Sequence, residues 1–137
     1  MDKQSLWLSE QPETLNLKQN ILKKIYHLKT CSTCAKILKQ IPHLETFVLQ
    51  DIKTEPMTEA HFMEMHKMAG SYEALFSRYA TLYKERGLKD KPLTEADYKS
   101  LILEHYTFLK RPVIIAEDKI FIGNKPKTVE EAVAYLK

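Results

Sequence analysis

Cys31 and Cys34 are the two cysteines of the chain, and they stand together as Cys31-Ser32-Thr33-Cys34. Two thiols at that spacing can cycle between dithiol and disulfide: one thiolate attacks a partner's sulfur, and the other resolves the mixed disulfide that results. The apolar run Ile25-Tyr26-His27-Leu28 precedes the pair, and Ala35 to Ile41 follows it with helical character. The thiols therefore sit where a strand hands over to a helix. A cysteine at a helix N-terminus meets the positive end of the peptide dipoles and several unpaired N–H groups, which favour its thiolate and make it a nucleophile at neutral pH. Two cysteines are too few for a secreted disulfide scaffold. Structural zinc wants four ligands, and no second Cys-x-x-Cys or Cys-x-x-His occurs. His61 and His66 are one residue too far apart for the i, i+4 pair of a helical metal site. The other histidines, His27, His43 and His105, read as packing or exposed side chains.

The elements that must hold the thiols can be read on either side of them. Residues 24 to 28 read as a strand, 32 to 41 as a helix ended by Pro42, and Thr46-Phe47-Val48-Leu49 as a second strand, which together make a βαβ unit. From Pro56 to about Leu109 the pattern is helical. Thr58 caps a helix that Gly70 stops, Tyr72 to Glu85 forms a second, and Thr94 with Asp97 opens a third. The Met and aromatic residues of this block are core material. Pro112-Val113-Ile114-Ile115-Ala116 and Lys119-Ile120-Phe121-Ile122-Gly123, joined by Glu117-Asp118, read as an antiparallel hairpin. Thr128 with Glu131 reads as a capping box for a terminal helix. The order is βαβ, helical block, ββα.

Bulk properties exclude several roles. At 137 residues the chain suits one domain with a real core. No apolar run approaches a membrane span, and the first twenty residues are too polar for a secretory signal, so a soluble, cytoplasmic protein is expected. A net charge of +3, with lysines scattered among glutamates, gives no nucleic-acid footprint.

The layout resembles a thioredoxin-like domain. Three segments carry a more specific likeness: Leu28-Lys29-Thr30-Cys31-Ser32-Thr33-Cys34, Leu109-Lys110-Arg111-Pro112-Val113-Ile114-Ile115, and Ile122-Gly123-Asn124. They resemble the signature segments of the arsenate reductase family, which includes glutaredoxin-linked arsenate reductases and Spx-type transcriptional regulators. The resemblance implies an α/β fold with a thioredoxin-like mixed sheet over residues 24–137, a helical subdomain inserted at about 57–109, and an extension over residues 1–23. It further implies Cys31 as the reactive thiol, Arg111 beside it, and a cis peptide before Pro112. A guanidinium there would favour the thiolate and could hold an oxyanion, or a carboxylate of glutathione, by paired hydrogen bonds. No bound cofactor is implied; glutathione or glutaredoxin would be the reductant.

The sequence departs from the arsenate-reducing members at two places. Those enzymes resemble one another in presenting three arginines to the anion, and only Arg111 maps cleanly onto the set. The first position falls on Ser77 without a gap, with Arg78 one residue off, and the third reads Asn124-Lys125. Lysine and asparagine do not reproduce the guanidinium fork, which weakens the case for arsenate as substrate. The second departure is Cys34, because the glutaredoxin-linked enzymes commonly carry a single thiol near this position, whereas Spx-type proteins carry the pair. Three readings stay open: a thiol–disulfide oxidoreductase acting on a small thiol, an oxyanion or a protein disulfide, with glutaredoxin or thioredoxin as partner; an Spx-like thiol switch that binds RNA polymerase; or a scaffold whose thiols are structural. Lys29, Lys36, Lys39 and Lys110 read as solvated surface lysines.

Overall fold

The computed structural model describes residues 23–137. The expected extension, with its Trp7, lies outside the described residues apart from Lys23. Strands β1 (Lys23–His27), β2 (Val48–Asp51), β3 (Val113–Ala116) and β4 (Lys119–Ile122) form one mixed sheet in the order β2-β1-β3-β4. β1 runs parallel to β2, with Tyr26 opposite Gln50, and antiparallel to β3, with Ile25 opposite Ile114. Helix α1 (Ser32–Leu38) connects β1 to β2, and α5 (Pro126–Leu136) closes the chain. Between β2 and β3 lie α2 (Glu59–Ala69), α3 (Thr81–Glu85) and α4 (Glu95–Glu104).

Both faces of the sheet are covered, which is why the central strand β3 reads as an unbroken apolar run. Ile25, Ile114 and Ala116 pack with Ile37 of α1 and with Val129 and Ala132 of α5. On the other face Tyr26, Val113 and Ile115 join Phe62, Met65, Phe76 and Phe108 from the helical block. Phe76 is the hub of that second layer: it stacks on Phe108 at 5.3 Å and meets Tyr98 at 4.9 Å and Tyr83 at 5.8 Å. Phe76→Ala is expected to cost about 3–5 kcal/mol, because the fully buried ring leaves a cavity among other rigid rings. Urea unfolding of the full chain checks this, and a loss under about 1 kcal/mol would show that the layer collapses around the gap.

Several boundaries differ from the sequence reading, each for a local reason. α1 ends at Leu38 because the amides of Gln40 and Ile41 turn back to Ile37 O and Leu38 O at 2.9 and 3.2 Å, tightening the last turn before Pro42. β2 begins at Val48, not Thr46: the amides of Thr46 and Phe47 are taken by His43 O and Leu44 O in a 3-10 turn. At the C-terminus the Thr128–Glu131 box does not form. Pro126 instead occupies the first turn, where its missing N–H costs nothing, and Lys125 precedes it as an N-cap without a side-chain bond. The Thr94–Asp97 box is present, with Thr94 N donating to Asp97 Oδ2 at 2.8 Å.

The largest difference shapes the candidate site. The single helix expected over Tyr72 to Glu85 is a 3-10 turn (Glu73–Leu75), an extended step and the short α3. Glu95 accepts the Tyr72 and Glu73 amides at 2.7 and 3.0 Å, which fixes the turn. Phe76 then forms an antiparallel bridge with Leu109: Lys110 N donates to Leu75 O at 2.8 Å and Ser77 N to Phe108 O at 2.7 Å. These tertiary bonds replace the intrahelical ones. They carry the segment from Ser77 to Tyr79 alongside Lys110.

Candidate active site

Cys31 is the N-cap of α1, with extended backbone (φ −90, ψ 117), and its carbonyl accepts the Ala35 amide at 3.1 Å. Its own amide donates to Leu28 O at 3.0 Å, which closes the turn leaving β1. Partial burial pushes the Cys31 thiol up, but the N–H of Cys34, the Cys34 thiol, the N–H of Thr33 and the Arg111 guanidinium together bring it below the ordinary thiol range. The sulfur makes no formal capping hydrogen bond, so the amides act as oriented dipoles. Cys34 behaves oppositely. It is 1% exposed, and burial together with the charge of a Cys31 thiolate pushes its thiol up to about 11, against the pull of the Leu28 backbone. The two sulfurs thus differ in character: one half-buried and acidic, the other fully buried and protonated.

A cleft of about 560 Å³ opens at Cys31. Arg111, Asn124 and Lys125 line it with Cys31, so four of the residues singled out from the sequence share one space. Pro112 is buried behind it, and the Arg111-Pro112 peptide is cis. The Arg111 Nη1 donates to Thr107 O at 3.3 Å and Leu109 O at 3.2 Å, which anchors one corner of the guanidinium to backbone. Its Nε is buried and has no hydrogen-bond partner among the described residues. A buried donor left unpaired is costly, and an anion in reach would satisfy it.

Between Ser77 and Arg78, the cleft takes Ser77. Arg78 is not among the lining residues; its guanidinium donates to Glu73 Oε2 at 2.8 Å and to the Tyr98 hydroxyl at 3.1 Å. Sequence reasoning passed over three other lining residues: Lys110, Thr128 and Tyr79. The sequence places Lys110 with the solvated surface lysines; in the structure burial and the neighbouring charges of Lys125 and Arg78 push its ammonium below the ordinary lysine value. The signal for it is Gly123. With φ 94 and its amide on Pro112 O at 2.9 Å, this residue turns the chain after β4. A Cβ there would meet the Lys110 stem at 3.8 Å. That is ordinary contact distance, so it is the positive φ that calls for glycine here, and the turn it makes brings the chain after β4 against the Lys110 stem.

Among the described residues there is no group of three or more His, Cys, Asp or Glu side chains that could hold a metal, and no helix is long and apolar enough to cross a membrane.

Comparison with known proteins fixes the lineage. The sequence profile of the ArsC family matches residues 26–132, from the end of β1 through most of α5. The chain belongs to the ArsC family. An uncharacterised Escherichia coli protein, YfgD, is 30% identical over 114 residues, covering 80% of this chain and 95% of the relative. An arsenate reductase of Haemophilus influenzae is 40% identical over 50 residues, 36% of this chain and 43% of that enzyme. Among solved structures, an ArsC family related protein from Bacteroides fragilis superposes with a TM-score of 0.68 at 23% identity, over 81% of this chain and 97% of that one. An arsenate reductase from Vibrio cholerae gives 0.65 at 19%, over 84% and 97%. These two show the fold, the thioredoxin-like sheet of ArsC proteins. Membership of the ArsC family and the arsenate reductase relatives support a thiol-dependent, reductase-like function.

Proposed function

We propose that this ArsC protein is a thiol–disulfide oxidoreductase in which Cys31 is the nucleophile, Cys34 the resolving thiol and Arg111 the electrostatic partner. One observation carries the reading: within a single Cys-x-x-Cys the outer thiol is made acidic and opens on a cationic cleft, while the inner thiol is buried and kept protonated. In the first step the Cys31 thiolate attacks one sulfur of a disulfide; that S–S bond breaks, and one partner thiolate leaves and takes up a proton. Cys31 now carries no charge, so its contribution to holding the Cys34 proton disappears. Cys34 loses its proton and attacks the Cys31 sulfur, releasing the second partner thiolate. Two electrons pass from the thiolate–thiol pair to the substrate, the two released thiols take up the Cys34 proton and one from water, and a Cys31–Cys34 disulfide is left. A thiol reductant, glutathione or a glutaredoxin- or thioredoxin-type protein, returns it to the dithiol.

Arsenate fits this site less well. Among the described residues Arg111 is the one guanidinium lining the cleft, and the other cations there, Lys110 and Lys125, are point charges without a planar fork. The deciding measurement is the Cys31–Cys34 reduction potential, taken alongside an arsenate assay supplied with glutathione and glutaredoxin. The expected result is a potential between about −270 and −120 mV, as for working oxidoreductases, with no arsenate turnover. A potential below about −300 mV would mark a structural disulfide and sink the reading. The feature that favours an Spx-like switch is the same dithiol; capture of RNA polymerase subunits from lysate in only one redox state would move the assignment there.

A further inference from the structure

We propose that the mouth of this cleft, from Tyr79 across Lys110 to Lys125, is a docking surface for an acidic polypeptide that presents its disulfide to Cys31. The inference rests on the reading of Cys31 as a nucleophile and names the partner that the site selects. Tyr79 lines the cleft and is nevertheless 95% exposed. Folding does not bury its ring, although every other aromatic of the helical block is at least partly covered. A ligand small enough to stay inside the cleft would cover one face of that ring and leave the other wet. Covering both requires a chain that continues past the rim. An aromatic body with a polar tip, standing free at the edge of a site, is the side chain most often found anchoring protein partners.

The charge pattern names the kind of polypeptide. Lys110, Arg111 and Lys125 line the cleft, and among the described residues no carboxylate does. Glu73, the acidic group that acts on Lys110, is already paired with Arg78 at 2.8 Å. The whole chain carries only +3, so this concentration of cations is local to the opening. Such a rim accelerates encounter with an acidic partner and penalises a basic one.

Three disulfide probes test this on the reduced full chain, with thiol loss followed in a single turnover: a glutamate-rich peptide carrying a Cys-x-x-Cys disulfide, the same peptide with lysine for glutamate, and hydroxyethyl disulfide. The acidic peptide should react at least about tenfold faster than the basic one at low salt, and the ratio should collapse at high salt. Tyr79→Ala should lower the ratio of acidic-peptide rate to hydroxyethyl disulfide rate by about tenfold, and Tyr79→Phe should restore most of it. Equal rates for the two peptides would overturn the proposal. So would a Tyr79→Ala variant that slows the peptide and the small disulfide by one common factor. If hydroxyethyl disulfide fails to oxidise the wild type, the thiol chemistry itself falls, and the docking surface with it.

Discussion

Cys31→Ser should abolish disulfide turnover, with a loss of at least about a thousandfold, whereas Cys34→Ser should stop the cycle one step later and leave the partner attached to Cys31. The two outcomes follow from the asymmetry of the sulfurs. A serine hydroxyl at position 31 is not ionised by nearby amides and a guanidinium, so no first attack takes place. With serine at position 34 the first attack proceeds, because Cys31 keeps its position at the head of α1, the Thr33 amide and the Arg111 charge. The mixed disulfide then lacks an internal thiol to break it. Intact-mass spectra after exposure to hydroxyethyl disulfide should show one added mercaptoethanol group on Cys34→Ser and none on Cys31→Ser. An adduct on Cys31→Ser would mean that the buried sulfur is the accessible one and would reverse the assignment of roles. Rapid double-thiol loss in wild type, with no stable adduct, is the third arm, and a persistent wild-type adduct would show that Cys34 does not resolve it.

The parts of the site that were legible in the sequence are those fixed by local chemistry. A thiol pair between an apolar run and a helix former places Cys31 at the head of α1 whatever the rest of the chain does, because the N-terminal amides of a helix always point the same way. The hairpin was legible too, since β-branched runs flanking two turn residues have few alternatives; β3 and β4 pair with Ala116 opposite Lys119 as that pattern requires. The cleft wall was not. Helical spacing in Leu75, Phe76, Tyr79, Leu82 and Tyr83 is real, but Phe76 is held by a bridge to Leu109 and by Phe108, thirty-odd residues further along, and no local pattern records that. The same tertiary bond decides that Ser77 and Tyr79 line the cleft while Arg78, between them, turns away to Glu73 and Tyr98. In an extended step alternate residues face alternate sides, so a one-residue difference in register exchanges a serine for an arginine at the site. Lys110 is illegible for a related reason: the groups that act on it, Lys125 and Arg78, and the turn at Gly123 that lies against its stem are distant from it in sequence.

Arg111→Met should cut turnover by about a hundredfold, and most of that loss should come from substrate contact and not from the ionisation of Cys31. Burial is the largest influence on the Cys31 thiol and pushes it up; the Cys34 and Thr33 amides and the Cys34 thiol oppose it more strongly than Arg111 does. Removing the guanidinium therefore raises the value while the amides of α1 still oppose burial. The sign can be checked in the pH dependence of iodoacetamide alkylation, measured in a Cys34→Ser background so that one sulfur reports. The half-rise should move upward when methionine replaces arginine, so the two variants differ at neutral pH and converge at high pH, where both are ionised. Iodoacetamide carries no charge and feels only the ionisation. An anionic disulfide feels the contact as well, through the guanidinium of Arg111 and the lysines that line the cleft with it. Its rate should accordingly fall much further than the alkylation rate does. Arg111→Lys discriminates between the two effects, because one ammonium cannot both replace the Nη1 bonds to Thr107 O and Leu109 O and face the cleft as a fork. It should recover most of the alkylation rate and little of the disulfide rate. Equal recovery of both would show that the residue contributes only its charge, and the anchored geometry of the guanidinium would then have no part in catalysis.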